Sequence, residues 1–291
     1  MAVGKTTTGS LADSLPTIIF EARQVRIYEG KMPQLVDKQT LGVGLGLTWN
    51  EVTFAQLSAQ AVSEDEELNN PQQLSDTLLS ITPTVIGVET LITDRVAQRI
   101  SKNAYAQIGG LSQNAIQKKK DEDGLVAVDG ATTQLCGAGT TLTSGYITAA
   151  SYRISSNATE PGPDPIRAVF HGFQLKDLAD ELTAPVGTYN ITDGITASVF
   201  QNKMKLKVAS VEIYEDGNIT IDSSDDAKGG VFSQKGIILV QGRTPWTKMK
   251  EEPGYGGGAM RLYLYDEYAY GERSAGNWLY EIMSDATTPT S

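Results

Sequence analysis

The pattern of apolar and polar positions is organised around one long run. Between Thr93 and Gly124, the residues Val96, Ile100, Ala104, Ile108, Leu111 and Ala115 recur at steps of three or four, so they line one face of a helix. Thr93 is placed to cap it, Asp94 suits the positive end of its dipole, and Lys118, Lys119 and Lys120 suit its last turn. Gly124 can take the left-handed C-cap. From Asp94 to Asp121 such a helix would be about 40 Å long. Gly109 and Gly110 sit in its middle, where each costs roughly 1 kcal/mol relative to Ala. The pair marks either a core helix with a kink or a strut that bends.

Around this helix the pattern reads as a mixture of strands and helices. Residues 1–15 are polar and aperiodic, and another subunit is the expected partner that would order them. Pro16 opens a segment with Ile18, Ile19, Ala22, Val25 and Tyr28 at helical spacing. Residues 42–82 differ: Gly42, Gly44 and Gly46 precede alternating segments and the acidic run Glu64, Asp65, Glu66 and Glu67, with six acidic residues and no Lys or Arg. This reads as a long β-hairpin leaving the body, and an isolated hairpin is marginal in water. A return strand is expected from Ile81 to Thr93, with Pro83 at its start.

Beyond the long helix, the spacing predicts helices at Ser144 to Ser155 and Gln174 to Leu182, the second ended by Pro185. Strands are expected at Ile166 to Phe170, at 208–217 with a turn at Asp216-Gly217, at Gly236 to Gln241, at Met260 to Tyr270 and at Trp278 to Met283. Residues 160–165 and the glycine-rich stretch within 248–260 read as loops.

Composition narrows the function. The net charge is −11, and the 24 basic residues form one tight run, Lys118 to Lys120, which argues against a surface that grips nucleic acid. The single cysteine, Cys136, allows no intrachain disulfide, as expected in a reducing compartment. The first residues hold no apolar stretch of signal-peptide type, and the longest aliphatic run, Ile237 to Val240, is far too short to span a membrane.

Candidate chemistry is sparse. Gly4-Lys5-Thr6 lacks the upstream glycine of a phosphate loop. The glycines at 137 and 139 follow no clear strand and lack a third, so they read as a turn. His171 is the only histidine, which leaves a metal site of usual composition without ligands. Asp222, Asp225 and Asp226 do not have calcium-loop spacing and read as a solvated acidic turn. Cys136 reads as a small buried thiol. No catalytic, cofactor or metal site is expected.

The order of parts, together with their wording, resembles the major capsid protein of tailed bacteriophages, the Hong Kong 97 capsid fold. SAQAVSEDEEL (58–68) looks like the end of that family's E-loop, and ITPTVIGVETLITDRVAQRIS (81–101) with NAIQKKKDEDGL (114–125) looks like the strand leading into the spine helix. ATTQLCGAGTTLTSGYITAASYRI (131–154), AVFHGFQLKDLADEL (168–182), GVFSQKGIILVQGRTPW (230–246) and RLYLYDEYAYGERSAGNW (261–278) look like later segments of one tailed-phage subgroup. The resemblance covers nearly the whole chain.

It implies an N-arm with first helix at 1–33, an E-loop at 34–82, a P-domain with the spine helix from 83–130 and 243–291, and an A-domain from 131–242. It implies a protein that self-assembles as pentamers and hexamers into an icosahedral head shell, made in the host cytoplasm and resident in the virion. Double-stranded DNA would be enclosed without sequence-specific binding, and no membrane is implied. Portal and decoration proteins are implied partners. No charged helical pro-segment precedes Pro16, so any scaffolding protein is expected to be separate. Some relatives join an E-loop lysine to an asparagine of a neighbour by an isopeptide bond. Between Gly42 and Thr82 this chain has no lysine, so non-covalent contacts are expected instead. The expected inter-subunit contacts are Trp49 and Phe54, with Val52 and Leu57, and the acidic run Glu64, Asp65, Glu66 and Glu67. Their expected basic counterparts are Arg95, Arg99, Lys118, Lys119, Lys120, Arg243 and Lys248. Gly109 and Gly110 are the expected spine-helix hinge. Two other readings stay open: an encapsulin-type nanocompartment shell, and a small-molecule enzyme with a site in 137–145.

Overall fold

One long helix and the strands packed on it set the architecture. The computed structural model describes residues 28–62, 64, 71–99, 104–183 and 207–290. The polar N-terminal segment, the helix expected from Pro16 (apart from Tyr28), Asp65, Glu66 and Glu67, and the stop at Pro185 lie outside the described residues. The chain enters through a one-turn helix α1 (Met32–Leu35), strand β1 (Asp37–Thr40) and the hairpin strands β2 (Trp49–Phe54) and β3 (Asp76–Ile81). Strand β4 (Thr84–Thr93) leads into α2 (Asp94–Arg99), and α3 (Ala104–Asp129) is the long helix. Next come β5 (Gln134–Cys136), α4 (Ser144–Ser155), β6 (Ile166–Phe170), α5 (Gly172–Thr183), β7 (Lys207–Val208) and β8 (Val211–Glu215). The last strands are β9 (Asp226–Ser233), β10 (Ile237–Glu251), β11 (Ala259–Glu272) and β12 (Leu279–Asp285).

Two sheets pack on α3. One has the order β1-β10-β11-β4, with β1 parallel to β10 and the remaining pairs antiparallel. The other runs β5-β12-β9-β6-β8-β7. The boundary expected at residue 242 falls inside β10. Strand β12, placed by sequence with the last segment, sits between β5 and β9 in the six-stranded sheet. The strand expected to stop at Gln241 continues to Glu251 because β11 pairs with it as far as Met260. Pro245 is tolerated there because β1 pairs only with 238–241 and the register shifts between Gln241 and Trp246.

The long helix departs from expectation in three ways. It runs on to Asp129, so Lys118 to Lys120 lie mid-helix and not in its last turn. Gly124 is not a C-cap: it lies inside α3 against Met32 and Tyr270, where a Cβ would stand 2.8 Å from the Met32 Cβ. The buried face is also rotated by one position. Leu111 is 40% exposed and Ala115 is exposed, while Ser112, Ile116, Lys120, Asp121, Leu125 and Val128 are buried. That face carries polar groups because it meets polar partners. Lys120 Nζ reaches Asp266 Oδ2 at 3.2 Å and Gln241 Oε1 at 2.5 Å, and the Tyr268 hydroxyl donates to Asp123 Oδ2 at 2.9 Å.

The apolar core has two large parts and a small third one at the root of the hairpin. One joins α1 and α3 to both sheets through Met32, Leu35, Leu125, Val128, Phe232, Ile237 and Leu279. Another packs α4 and α5 on the six-stranded sheet through Ile147, Ile154, Phe170, Leu178 and Ile282. Each fully buried Leu, Ile or Phe contributes roughly 1.5–3 kcal/mol. Helix α5 begins with a reciprocal cap: His171 Nδ1 accepts the Phe173 N–H at 3.2 Å, and Gln174 Oε1 accepts the His171 N–H at 2.9 Å.

Candidate assembly interface

Among the described residues, the hairpin and the loops flanking it carry many of the exposed large apolar side chains. Its strands pair antiparallel from Trp49 opposite Ile81 to Phe54 opposite Asp76. Directly paired residues share a face, so the two faces can be read from the register. Trp49, Glu51, Leu79 and Ile81 form the face turned to the body. There Ile81 packs with Ile238 and Val240, and Trp49 and Leu79 close over this small cluster. Arg273, at the end of β11, pins that face: its Nε donates to Glu51 Oε2 and its Nη1 to Asp37 Oδ2, both at 2.7 Å, and its guanidinium lies 5.8 Å from the Trp49 ring centroid. The other face carries Val52, Phe54 and Leu78, all exposed, with Phe54 62% accessible. Leu57 and Leu74 beyond the strands, and Val43, Leu45 and Leu47 before them, are also exposed. A two-stranded element with this much open apolar surface is marginal alone in water.

The expected contact residues divide accordingly. Phe54 is outward, but Trp49 is half-buried against its own subunit and serves the hairpin root. Glu64 is exposed, and the rest of the acidic run lies outside the described residues. Arg95 is exposed on α2, and Arg99 ends that helix, its side chain outside the description. Lys118 and Lys119 are exposed but paired along the helix with Glu122 at 3.5 Å and Asp123 at 2.6 Å. Lys120 is a correction: it is buried and held by Asp266 and Gln241 within the subunit, so it offers no charge to a neighbour. Gly109 and Gly110 both lie in regular α3 with nothing within 4 Å of the position of a Cβ.

A basic and aromatic face that the sequence reading did not assemble lies on the outer side of β10 and β11. Arg243 sits 4.2 Å over the Trp246 ring, Trp246 stacks on Tyr265 at 5.3 Å, and Tyr265 is parallel to Tyr263 at 6.0 Å. Lys248 and Lys250 lie exposed beside them. The period-two alternation of Tyr263 and Tyr265 against Leu262 and Leu264 was the available signal. The cross-strand partners were not, because β10 continues beyond its expected end.

The remaining candidates carry little chemistry. The segment 137–145 lines an open depression of about 630 Å³ with Gly139, Thr140, Thr141, Thr143, Gly145, Tyr146 and Ala149, a lining of hydroxyls without carboxylate, imidazole or thiol. Asp226 is not part of a solvated turn: it is buried at the start of β9, and its carboxylate accepts the Gly139 N–H at 2.6 Å. Among the described residues no group of three or more His, Cys, Asp or Glu side chains is arranged to hold a metal ion, and no helix is long and apolar enough to cross a membrane.

No protein-family model and no curated protein sequence matches the chain. Solved structures do. The capsid of cyanophage Pam1 is similar with a TM-score of 0.75 at 12% identity, over 99% of this chain and 100% of that one. The capsid of cyanophage P-SCSP1u gives 0.69 at 13% identity, over 94% and 93%. The head of Helicobacter pylori bacteriophage KHP40 gives 0.70 at 10% identity, over 91% and 94%. The chain therefore has the phage capsid fold, the Hong Kong 97 type, and it is α+β. The likeness spans nearly the full length of both partners in each case.

Proposed function

We propose that the chain is a major capsid protein that self-assembles into the icosahedral head shell enclosing a tailed phage's double-stranded DNA. The observation that carries this reading is the near-complete overlay, hairpin included, on subunits of phage capsids. The open apolar face of the hairpin supports it, since that face needs a second copy to be covered. In this reading residues 34–82 are the E-loop. Helix α3 is the spine of a P-domain built on the four-stranded sheet, and the six-stranded sheet with α4 and α5 is the A-domain, whose loops meet at five- and sixfold axes. The net charge of −11 suits a wall that releases packed DNA. The virion is its place, with a portal as a further partner.

At the subunit boundary, Val52, Phe54 and Leu78 supply apolar burial. The acidic run from Glu64 pairs with exposed basic groups of a neighbour, of which Arg95, Arg243 and Lys248 are open for the purpose. An enzyme is disfavoured by the lining of the 137–145 depression, and an encapsulin is separated from a phage shell by a portal gene beside the coding sequence. Electron microscopy and sedimentation of the expressed protein test the reading: closed shells with fivefold and sixfold clusters are expected, and a population of monomers or dimers alone under all assembly conditions refutes it.

A further inference from the structure

Two carboxyl groups are buried together where the chain enters the body. Asp121, on α3, and Asp216, just after β8, are both fully buried and share Asn218 as a hydrogen-bond donor. Their other partners converge from the N-terminal segment and the turn after β8. Asp216 Oδ2 accepts the Lys31 N–H at 2.9 Å, and Asp121 Oδ1 accepts the Met32 N–H at 2.9 Å. Asn218 bridges the pair, giving its backbone N–H to Asp216 at 2.9 Å and its side-chain amide to Asp121 at 2.8 Å. The backbone of Gly30 lies directly on the Asp121 carboxyl, since a Cβ there would fall 2.0 Å from Cγ. The Tyr28 ring covers Gly217, and its hydroxyl donates to the Glu215 carbonyl at 2.8 Å.

We propose that Asp121 and Asp216 form a proton-operated latch that fastens residues 28–32 to the long helix and to the turn after β8. Among the described residues no cation pairs with either carboxyl. Two ionised carboxylates in this position would repel each other, opposed by the four N–H donors but by no counter-charge. Protonation of one removes the repulsion.

The other titratable groups around the pair are Tyr28 and Lys31 from the N-terminal segment, Glu215 beside Asp216, and Tyr270 from β11. The two tyrosines are pushed upward by burial and stay neutral, and Lys31 contributes its backbone N–H. His171 interacts electrically with Glu215, and burial holds its imidazole below the ordinary range. Burial, with Asp121 adding to it, pushes the Asp216 carboxyl up from 3.8 to about 7. Because the closed latch binds the proton more tightly than the open one, its stability is complete at low pH. It falls as pH rises from the ordinary carboxylate value and levels off above about 7. The latch is thus tight in acid and loose at neutral pH.

The test is hydrogen exchange of the Lys31 and Met32 amides in the full-length, unassembled protein, corrected for intrinsic rates. The opening constant is expected to rise roughly tenfold for each pH unit between 5 and 6.5 and to level off above 7. Asp216→Asn removes the titrating group and should flatten this profile, while Asp121→Asn should reduce its range, whatever their baseline protection. A flat profile in the wild-type protein overturns the proposal. So does a slope that survives unchanged in Asp216→Asn, which would trace to another group such as His171. The measurement is made on single subunits, so it stands or falls independently of shell assembly.

Discussion

Within α3, glycine does opposite things at Gly124 and at the pair Gly109 and Gly110. Gly124 admits the α1 segment and the Tyr270 ring so closely that a Cβ would meet both. Gly124→Ala would add about 1 kcal/mol of helix propensity but overpack the contact by about 1–3 kcal/mol. A net loss of stability is expected in urea unfolding of unassembled subunits. Gly109 and Gly110 have open space, so replacing both by Ala should stabilise the subunit by up to about 2 kcal/mol. Stiffening the helix at the same point should impair shell assembly or expansion. Equal stability changes at the two places would contradict the packing argument, and normal expansion of the double variant would contradict the hinge. From sequence alone the two could not be told apart, because both read as breaks in a helical pattern.

Elements were legible where local pattern and burial agree. Helix α4 and strand β6 match their expected limits because Ile147, Ala150 and Ile154, and Ile166, Ala168 and Phe170, are both periodic and buried. Strand β9 was missed because Gly229 and Gly230 interrupt its pattern. Those glycines let it lie close to Val169 and to Val128 of α3, a reason visible only in three dimensions. The far half of β10 was missed because its residues are polar or exposed and it exists through its pairing with β11. The hairpin was legible from its glycines and alternation, but its root was not, since Arg273 lies more than two hundred residues away in sequence. Arg273→Ala removes the links to Asp37 and Glu51 and uncovers Trp49, at a cost of about 2 kcal/mol for two charge-assisted hydrogen bonds. The larger expected effect is on direction. Distances between spin labels on the hairpin and on β10 should broaden in Arg273→Ala, and Arg273→Lys should narrow them only partly because it lacks the fork. Unchanged distances in the Ala variant would show that the Ile81 cluster alone sets the angle.

At the scale of the whole molecule, the proposed shell requires neighbouring copies to hold the hairpin. The stretch from Gly42 to Thr82 has no lysine, so it cannot supply the amine of an isopeptide link, and contact there is expected to come from apolar burial and charge. Particles boiled in detergent should therefore release one band at the subunit mass of 31.2 kDa. A ladder of covalent oligomers would refute the non-covalent reading. The two remaining contributions respond differently to salt. Apolar burial of Val52, Phe54 and Leu78 is insensitive to screening, while pairing of the acidic run with Arg95, Arg243 or Lys248 weakens once the Debye length falls below about 10 Å near 0.1 M salt. Replacing Glu64, Glu66 and Glu67 by Lys turns that attraction into repulsion. The shells should then lose stability most at low salt and recover as salt is raised. Shells whose stability is unchanged at every ionic strength would mean that the acidic run faces water and that the outward face of the hairpin holds the neighbour by itself.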